Sequence, residues 1–489
     1  MPAAKVQGDE GDQGLMAPKF GTSGLRGLVV DLTPDLVAAH VAAFAAACPV
    51  GTGLFVGRDL RPSSPCLADV VLRTGRALGL TVTDCGAVPT PALALAAMEA
   101  GAAAVMVTGS HIPADRNGLK FYTPRGEITK ADEGAILAAL GPAPDLPASA
   151  GARHDDTAGT AWLDRIVAGF GAGALAGLKV GIWQHSAVSR DLLVEALNRL
   201  GAQVVPLGRS DDFIPVDTEA VPDRARETIA DWVARHGLDA LVSTDGDGDR
   251  PLLADGHGRV VPGDILGQIT AAAVGAETVV TPVSSNTGVE RSGRFARVVR
   301  TRIGSPFVIA GMEEAGGRVV GYEANGGFLL GFDATGPAGL LPALATRDSL
   351  LPIVAVLAEA RRAGSVAARV AEEPARVTAA DRLENVDPAV SAALIARLED
   401  PDALAAFLAE IGERPARIGR TDGLRITCAS GRILHLRPSG NAPELRVYVE
   451  GEEAEKSRDL LMRGLAAIQA TFDTTAGRGL SRDGDTTRH

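Results

Sequence analysis

The 489-residue chain carries 48 Lys+Arg against 60 Asp+Glu, a net charge of −12, with 46% hydrophobic and 22% charged residues. This balance is globular and excludes a disordered chain, and at roughly 150 residues per domain the length gives three or four domains. The acidic surplus argues against a nucleic-acid or other polyanion partner held by a general basic surface, so an anionic ligand has to be met locally by a few Arg, Lys and His side chains. Four cysteines, Cys48, Cys66, Cys85 and Cys428, are too few in so long a chain for a disulfide framework, and none forms the Cys-x-x-Cys pair of a zinc or redox motif; they read as small buried apolar groups. The apolar stretches 37–50 and 91–107 are broken by Pro, Gly, His or Glu well before about 18 residues, too soon to span a membrane. Residues 1–14 are polar, with no apolar signal core, and the expectation is a reduced, cytoplasmic protein.

From Phe20 onward, apolar β-rich runs alternate with helical stretches, the pattern of an α/β chain. The spacing predicts a strand over 53–57, a helix over 64–78, a strand from 81, a helix over 91–100 and a strand over 103–108. After the Pro/Ala/Gly-rich segment 141–151 the pattern restarts with strand 178–182, helix 190–200, strand 202–206, helix 227–236 and strand 240–244. A third cycle holds helix 262–274, strands 278–281, 297–300 and 318–321, and helix 349–363. Beyond about 373 the character changes: 423–427, 432–436 and 445–450 alternate as half-buried antiparallel strands, and helix 455–471 follows. The expected organisation is a tail at 1–15, domains at 16–150, 151–255, 256–372 and 373–475, and a frayed tail from 476 to 489.

Five strand-end or turn segments carry reactive side chains. Asp245-Gly246-Asp247-Gly248-Asp249-Arg250 follows a strand directly, and its three carboxylates can turn inward around a hard cation; oxygen donors alone favour Mg²⁺ or Ca²⁺ over zinc or copper. An EF-hand loop fails, because its sixth position is Arg250 and its twelfth is Gly256. The alternative is an exposed acidic turn, which concentrates like charges without a counter-ion. Thr108-Gly109-Ser110-His111-Ile112-Pro113 also ends a strand, where α/β sheets bind ligands. Ser110 offers a hydroxyl there and His111 a positive or hydrogen-bonding group; a local turn is an equally simple account, and Ile112 rules out a Gly-x-Ser-x-Gly elbow. Arg437-Pro438-Ser439-Gly440-Asn441-Ala442-Pro443 is either a Gly/Pro hairpin turn or a phosphate cradle of guanidinium, hydroxyl and backbone amides. Residues 20–27, with Thr22, Ser23 and Arg26, offer the same chemistry, and 321–327 offers Glu323 and Asn325 to sugar hydroxyls or is simply a turn. The Gly-rich 171–177 precedes its strand and reads as a linker. His40, His154, His236 and Arg361-Arg362 read as structural or surface groups.

Taken together and in this order, the five segments resemble the α-D-phosphohexomutase family over residues 20–450. The resemblance implies three similar α/β domains with mixed sheets plus a C-terminal α+β domain, set around a central cleft to which each contributes a loop. It implies that Ser110 carries a phosphoryl group and that Asp245, Asp247 and Asp249, with an oxygen on Ser110, hold Mg²⁺. Arg437, Ser439, Gly440 and Asn441 would grip the substrate phosphate, while Thr22, Ser23, Glu323 and Asn325 would also bind substrate. Arg26 and Lys120 would act as charge stabiliser and proton-transfer group, within a local basic pocket that includes His111, Arg250 and Arg437. The implied reaction interconverts hexose 6-phosphate and hexose 1-phosphate, with hexose 1,6-bisphosphate as intermediate and activator. The implied protein is a monomer or homodimer with a small-molecule substrate and no nucleic-acid or membrane partner.

The sequence departs from the family pattern at three loops. The serine loop usually reads Thr-Ala-Ser-His-Asn-Pro, and here Gly109 and Ile112 stand in. The phosphate loop usually continues Gly-Thr-Glu-Pro, against Gly440-Asn441-Ala442-Pro443. The sugar loop often ends Ser-Gly-His, against Asn325-Gly326-Gly327, which removes a histidine and makes mannose the first choice ahead of glucose and glucosamine. A Mg²⁺-dependent sugar phosphatase is disfavoured because a second phosphate clamp is superfluous for hydrolysis. A non-catalytic sugar-phosphate binder is disfavoured by retention of Ser110 and all three aspartates.

Overall fold

Ala103–Val107 shows how the first layers assemble. Its five apolar residues alternate across the sheet: Ala103, Val105 and Val107 pack in the core beneath helices Pro34–Ala47 and Ser64–Ala77. Ala104 and Met106 face the opposite core, beneath helix Thr90–Glu99. A strand buried on both faces needs such a continuous apolar run. The computed structural model describes residues 18–21, 24–439 and 443–480, the last seven as backbone only. Thr22, Ser23, Gly440, Asn441, the expected tail at 1–15 and the chain from 481 lie outside the described residues.

Four main sheets follow one another along the chain, three mixed and one antiparallel. The first has eight strands, with Leu54–Arg58 between Val82–Ala87 and Ala103–Val107 in parallel and Arg116–Thr123 running back antiparallel. Arg153–His154 adds an edge strand to it. The second places Lys179–His185 between Gln203–Arg209 and Ala240–Thr244, with Pro251–Asp255 antiparallel at the edge. The third places Thr278–Pro282 between Arg297–Thr301 and Val319–Tyr322, then adds Phe328–Leu330 and Leu344–Asp348 antiparallel. The fourth is wholly antiparallel, five strands with Glu444–Gly451 between Val377–Glu384 and Ile433–Pro438.

One device recurs in all four. A strand runs to its carboxyl end, turns through a short loop and returns antiparallel beside itself. The pairs are Ala103–Val107 with Arg116–Thr123, Ala240–Thr244 with Pro251–Asp255, Val319–Tyr322 with Phe328–Leu330, and Ile433–Pro438 with Glu444–Gly451. The tips of the first three hairpins are the Ser110, Asp245 and Glu323 loops, and Ser439 directly follows the first strand of the fourth.

One apolar core runs through the first three units, each of which also holds a smaller one, whereas the fourth has its own. The seam to the fourth is polar. Glu450 accepts from Thr287 N at 2.8 Å and is bonded by Arg376; Arg291 pairs with Glu452 at 2.7 Å; Ile303 N donates to Asp422 at 3.0 Å. Such a seam separates at lower cost than a shared apolar core.

Two expectations need correction. Cys66 is exposed, unlike the other three cysteines, because on helix Ser64–Ala77 it faces away from Leu67, Ala68 and Val71, which meet the sheet. The last helix spans Ala454–Leu480, beyond the expected end at 471. Among the described residues no helix is long and apolar enough to cross a membrane.

His185 and His435 are buried, donating Nε2–H to the carbonyls of Thr244 and Asp422 at 2.9 and 2.5 Å. Burial pushes each imidazole down to about 4. The unfolded chain takes up those protons near pH 6.5 and the native chain only near 4. Stability is therefore complete above 6.5 and is lost as pH falls toward 4, by on the order of 3 kcal/mol for each histidine. Urea unfolding at pH 7.5 and 4.5 should show this loss, and His435→Gln should reduce the difference between the two pH values. An undiminished difference in that variant would rule the histidine out as its source.

Candidate active site

Residues from the first three hairpin tips meet in a cleft of about 1650 Å³, lined by Arg26, His111, Arg250, Glu323, Asn325 and Arg347, and on the fourth unit by Arg446 and Tyr448. Ser110 stands at its inner wall, fully buried and at φ 53°. A non-glycine residue in the left-handed region is strained and is held only by its surroundings.

Those surroundings are specific. Ser110 N donates to Thr108 Oγ1 at 2.7 Å, and Thr108 Oγ1 donates to Asp59 at 2.7 Å. Arg61, also buried, clamps the whole loop. Its Nη1 donates to the carbonyls of Pro113 and Arg116 at 2.6 and 2.9 Å, and its Nη2 to those of Ser110 and Ile112 at 2.9 and 2.6 Å. Asp59 anchors Arg61 Nε at 3.1 Å, and the Phe213 ring from the second unit lies 4.0 Å from the guanidinium carbon. The clamp explains the departure at residue 109: a Cβ there would stand 2.6 Å from Arg61 Cζ, so the backbone approaches closely only as glycine.

Ser110 Oγ donates to Asp245 Oδ2 at 2.6 Å, which joins the first two loops. Asp245, Asp247 and Asp249 are all fully buried, with ligand oxygens within 4.8 Å of one another. The exposed acidic turn is therefore excluded. Burial and the two neighbouring carboxylates push Asp245 well above its usual range. Asp247 is held below it despite burial, by Lys120 and the Thr90 hydroxyl. Lys120 Nζ contacts Asp247 Oδ2 and Asp249 Oδ2 at 2.6 Å each, Thr90 donates to Asp247 Oδ2 at 2.5 Å, and Arg347 Nη2 reaches Asp249 Oδ2 at 2.9 Å. The other oxygens, Asp247 Oδ1 and Asp249 Oδ1, are buried without a hydrogen-bond partner among the described residues. Orphaned carboxylate oxygens facing a third carboxylate fit a hard divalent cation.

Of the two roles expected of His111, positive or hydrogen-bonding group, the geometry shows the second. Its Nδ1 accepts from Arg250 Nη1 at 2.9 Å and lies 3.2 Å from Ser110 Oγ. Burial, then the charges of Arg250 and Arg26, push its imidazole down to about 2, so it is neutral and serves as a hydrogen-bonding group. The positive charge comes instead from Lys120 and the arginines. Arg26, in strand Leu25–Leu28 opposite Gly118, is lowered to about 10 by burial and by Arg250, which marks a dense cationic wall.

Glu323 is buried and meets Arg347 Nη1 at 3.3 Å. Asn325 accepts from Gly327 N at 3.0 Å through Oδ1, and its carbonyl accepts from Thr218 Oγ1 at 2.8 Å, which pins the sugar loop to the second unit. Arg437 stands on the fourth unit, its Nε donating to Asp422 at 2.8 Å, and Ser439 N donates to Glu444 O at 2.9 Å. Ser110, His111, Arg26, Lys120, Arg250, the aspartates and Glu323 thus form one cluster, with Arg437 and Ser439 on the separate fourth sheet. Sequence reading missed Asp59, Arg61, Thr90 and Arg347. Asp59 and Arg61 carried a usable signal, since they follow strand Leu54–Arg58 just as the other loops follow theirs.

Models of the phosphoglucomutase/phosphomannomutase family match all four parts in order: alpha/beta/alpha domain I at residues 17–141, domain II at 161–258, domain III at 262–377 and the C-terminal domain at 392–465. The chain belongs to the phosphoglucomutase/phosphomannomutase family. Within it, a phosphomannomutase of Sinorhizobium fredii (strain NBRC 101917 / NGR234) is 44% identical, over 94% of this chain and 100% of that protein. A phosphomannomutase of Salmonella muenchen is 40% identical, over 92% and 95%. A solved phosphoglucomutase/phosphomannomutase family protein from Burkholderia thailandensis shares the fold with a TM-score of 0.72 at 20% identity, covering 92% of this chain and 97% of that one.

Gly109→Ala tests the Arg61 clamp. Overpacking against the guanidinium should cost about 1–3 kcal/mol in urea unfolding. Gly134→Ala, where a Cβ meets nothing within 4 Å, should cost nothing. Equal midpoints for the two variants would show that Arg61 does not hold the loop closely.

Proposed function

We propose that the protein is a Mg²⁺-dependent phosphohexomutase that interconverts mannose 6-phosphate and mannose 1-phosphate through a phosphoserine at Ser110. The observation that carries this reading is the 2.6 Å contact of a strained, buried Ser110 hydroxyl with Asp245, inside a ring of carboxylates and cations that opens on one cleft. Asp245 Oδ2, Asp247 Oδ1 and Asp249 Oδ1 would hold Mg²⁺, which when bound supplies charge that offsets the phosphoryl oxygens. The near-complete match to two phosphomannomutases supports mannose over glucose or glucosamine.

In this reading Arg437 and Ser439, with Gly440 and Asn441, hold the substrate's own phosphate, and Glu323 and Asn325 meet the sugar hydroxyls. The phosphoryl group passes from Ser110 Oγ to the free hydroxyl: the Ser110 O–P bond breaks, the sugar O–P bond forms, and the Lys120 ammonium gives a proton to the departing Ser110 Oγ as it takes the one the hydroxyl releases. Arg26 and Arg250 face the charge that spreads over the transferring oxygens. His111, neutral, accepts from Arg250 and so orients it. The hexose 1,6-bisphosphate then turns end for end in the cleft, and its other phosphate returns to Ser110. The polar seam before the fourth unit suits the opening that this rotation needs. We place the enzyme in the cytoplasm, as a monomer or homodimer.

Incubation with Mg²⁺ and mannose 1-phosphate should yield mannose 6-phosphate, faster with a trace of hexose 1,6-bisphosphate, and EDTA should abolish it. Intact mass should show a phosphoryl adduct that Ser110→Ala lacks, with turnover reduced at least about 10³-fold, the scale of a lost covalent step. Full turnover in Ser110→Ala would sink the mechanism, and release of free phosphate would mark a phosphatase.

A further inference from the structure

Arg347 has no place in the mechanism above, yet it is the most heavily committed cation in the cleft wall. It lies on strand Leu344–Asp348 and is only 1% exposed. Each of its guanidinium nitrogens faces a different carboxylate from a different part of the fold. Nη2 meets Asp249 Oδ2 of the metal loop at 2.9 Å, Nη1 meets Glu323 Oε2 of the sugar loop at 3.3 Å, and Nε lies 3.6 Å from Glu127 of the first unit. Burial alone would weaken the charge; the three carboxylates hold Arg347 well above its ordinary range. A planar, rigid fork makes this three-way contact possible, and a lysine cannot reproduce it.

The position of Asp249 matters because its two oxygens are divided. Oδ2 forms ion pairs with Lys120 Nζ at 2.6 Å and Arg347 Nη2 at 2.9 Å, whereas Oδ1, 3.7 Å from Arg250 Nε, is buried and accepts no hydrogen bond among the described residues. Arg347 thereby sets the rotation of this carboxylate, while its next nitrogen sets that of Glu323. Room for the arginine stem comes from Gly327, where a Cβ would stand 2.8 Å from Arg347 Cδ and 3.0 Å from its Cγ. Residue 327 is the one at which the resembled pattern has histidine. A side chain at 327 and the arginine stem at 347 exclude each other, so the missing histidine and the buried arginine are two sides of one packing solution.

We propose that Arg347 is a positioning residue that orients a metal-binding carboxylate, Asp249, and a sugar-binding carboxylate, Glu323, through one guanidinium, so that cation affinity and hexose phosphate affinity depend on the same side chain. This rests on the roles given above to the aspartates and to Glu323. Loss of a partner that orients a metal ligand typically lowers metal affinity 10- to 100-fold.

The test measures binding, without turnover, on the full chain. Mn²⁺ binding is followed by electron paramagnetic resonance, and mannose 1-phosphate binding by calorimetry, in wild type, Arg347→Met, Arg347→Lys and Gly327→Ala. Arg347→Met should weaken Mn²⁺ by 10- to 100-fold and mannose 1-phosphate by at least 10-fold. Arg347→Lys keeps the charge but not the fork, and should recover no more than one of the two affinities. Gly327→Ala keeps every charge and displaces only the arginine stem; with its unfolding midpoint near wild type it should weaken both ligands several-fold, and it decides the matter where Arg347→Met does not fold. Loss of one affinity with the other intact in Gly327→Ala overturns the shared control, as does full recovery of both in Arg347→Lys. Failure of wild type to bind either ligand overturns the proposed function itself, an outcome distinct from these.

Discussion

The structure depends on three carboxylates being buried together. Asp245, Asp247 and Asp249 lie on one six-residue loop with no exposure to solvent, and mutual repulsion in a low-dielectric interior would expel them unless cations stood close by. The compensation comes from Arg250 on the loop itself, from Lys120 on a strand of the first unit and from Arg347 on a strand of the third. Compensation across units means that the charge cluster also fastens units one, two and three, in the region where they share an apolar core. Removing Lys120 would take from buried Asp247 its ion-pair partner, a change that generally costs about 3–5 kcal/mol.

The recurrence of the strand–loop–antiparallel strand hairpin explains how such a cluster can be built with sub-ångström demands. Each tip is braced on both sides by ladder hydrogen bonds, so side chains from distant parts of the sequence arrive at fixed positions. Where extra precision is needed, a second layer is added. The Asp59–Arg61 pair holds the Ser110 loop through four carbonyls, and Thr218 holds the sugar loop through the carbonyl of Asn325. Neither brace touches the reacting atoms. Both instead set the backbone from which those atoms project, which is how a strained φ at Ser110 persists.

Much of this was legible in the sequence, and the exceptions have identifiable causes. The parallel strands announced themselves as apolar runs ending in polar turns, and three of the hairpin tips were readable for the same reason. The returning strands of the α/β units were not. Pro251–Asp255 opens with a proline, and Arg116–Thr123 opens with arginine, asparagine and glycine, so neither resembles a strand until it is paired. Helices Pro388–Arg397 and Pro401–Glu410 were missed although Asp387 and Asp400 cap them with proline following, because their apolar spacing is weak. At the site, Ser110 and the aspartates were found from local pattern. Arg347 could not be, since Glu323 lies 24 residues away along the chain, and the strand-end position of Arg61 signals a site but not its role, because the carbonyls it holds lie 49 or more residues away. The charge state of His111 was also beyond reach, because burial in the folded chain, and then a neighbour 139 residues distant, lower its imidazole.

The net charge of −12 acquires a different meaning once the cleft is known. An acidic exterior repels polyanions at long range, yet Arg26, Arg250 and Arg347 line the cleft and Lys120 lies buried against the aspartates. Exposed charges are screened within about 10 Å in ordinary salt, whereas charges in a low-dielectric wall are screened far less. The local cationic field therefore outweighs the global acidic one only for a ligand small enough to enter. Neutral His111 belongs to the same logic: a further buried cation beside Arg26 and Arg250 would add repulsion, and by accepting a hydrogen bond from Arg250 the imidazole steadies the wall without charging it further. Selection for a small phosphate is thus made twice, by the sign of the charge inside the cleft and by the depth at which that charge is kept.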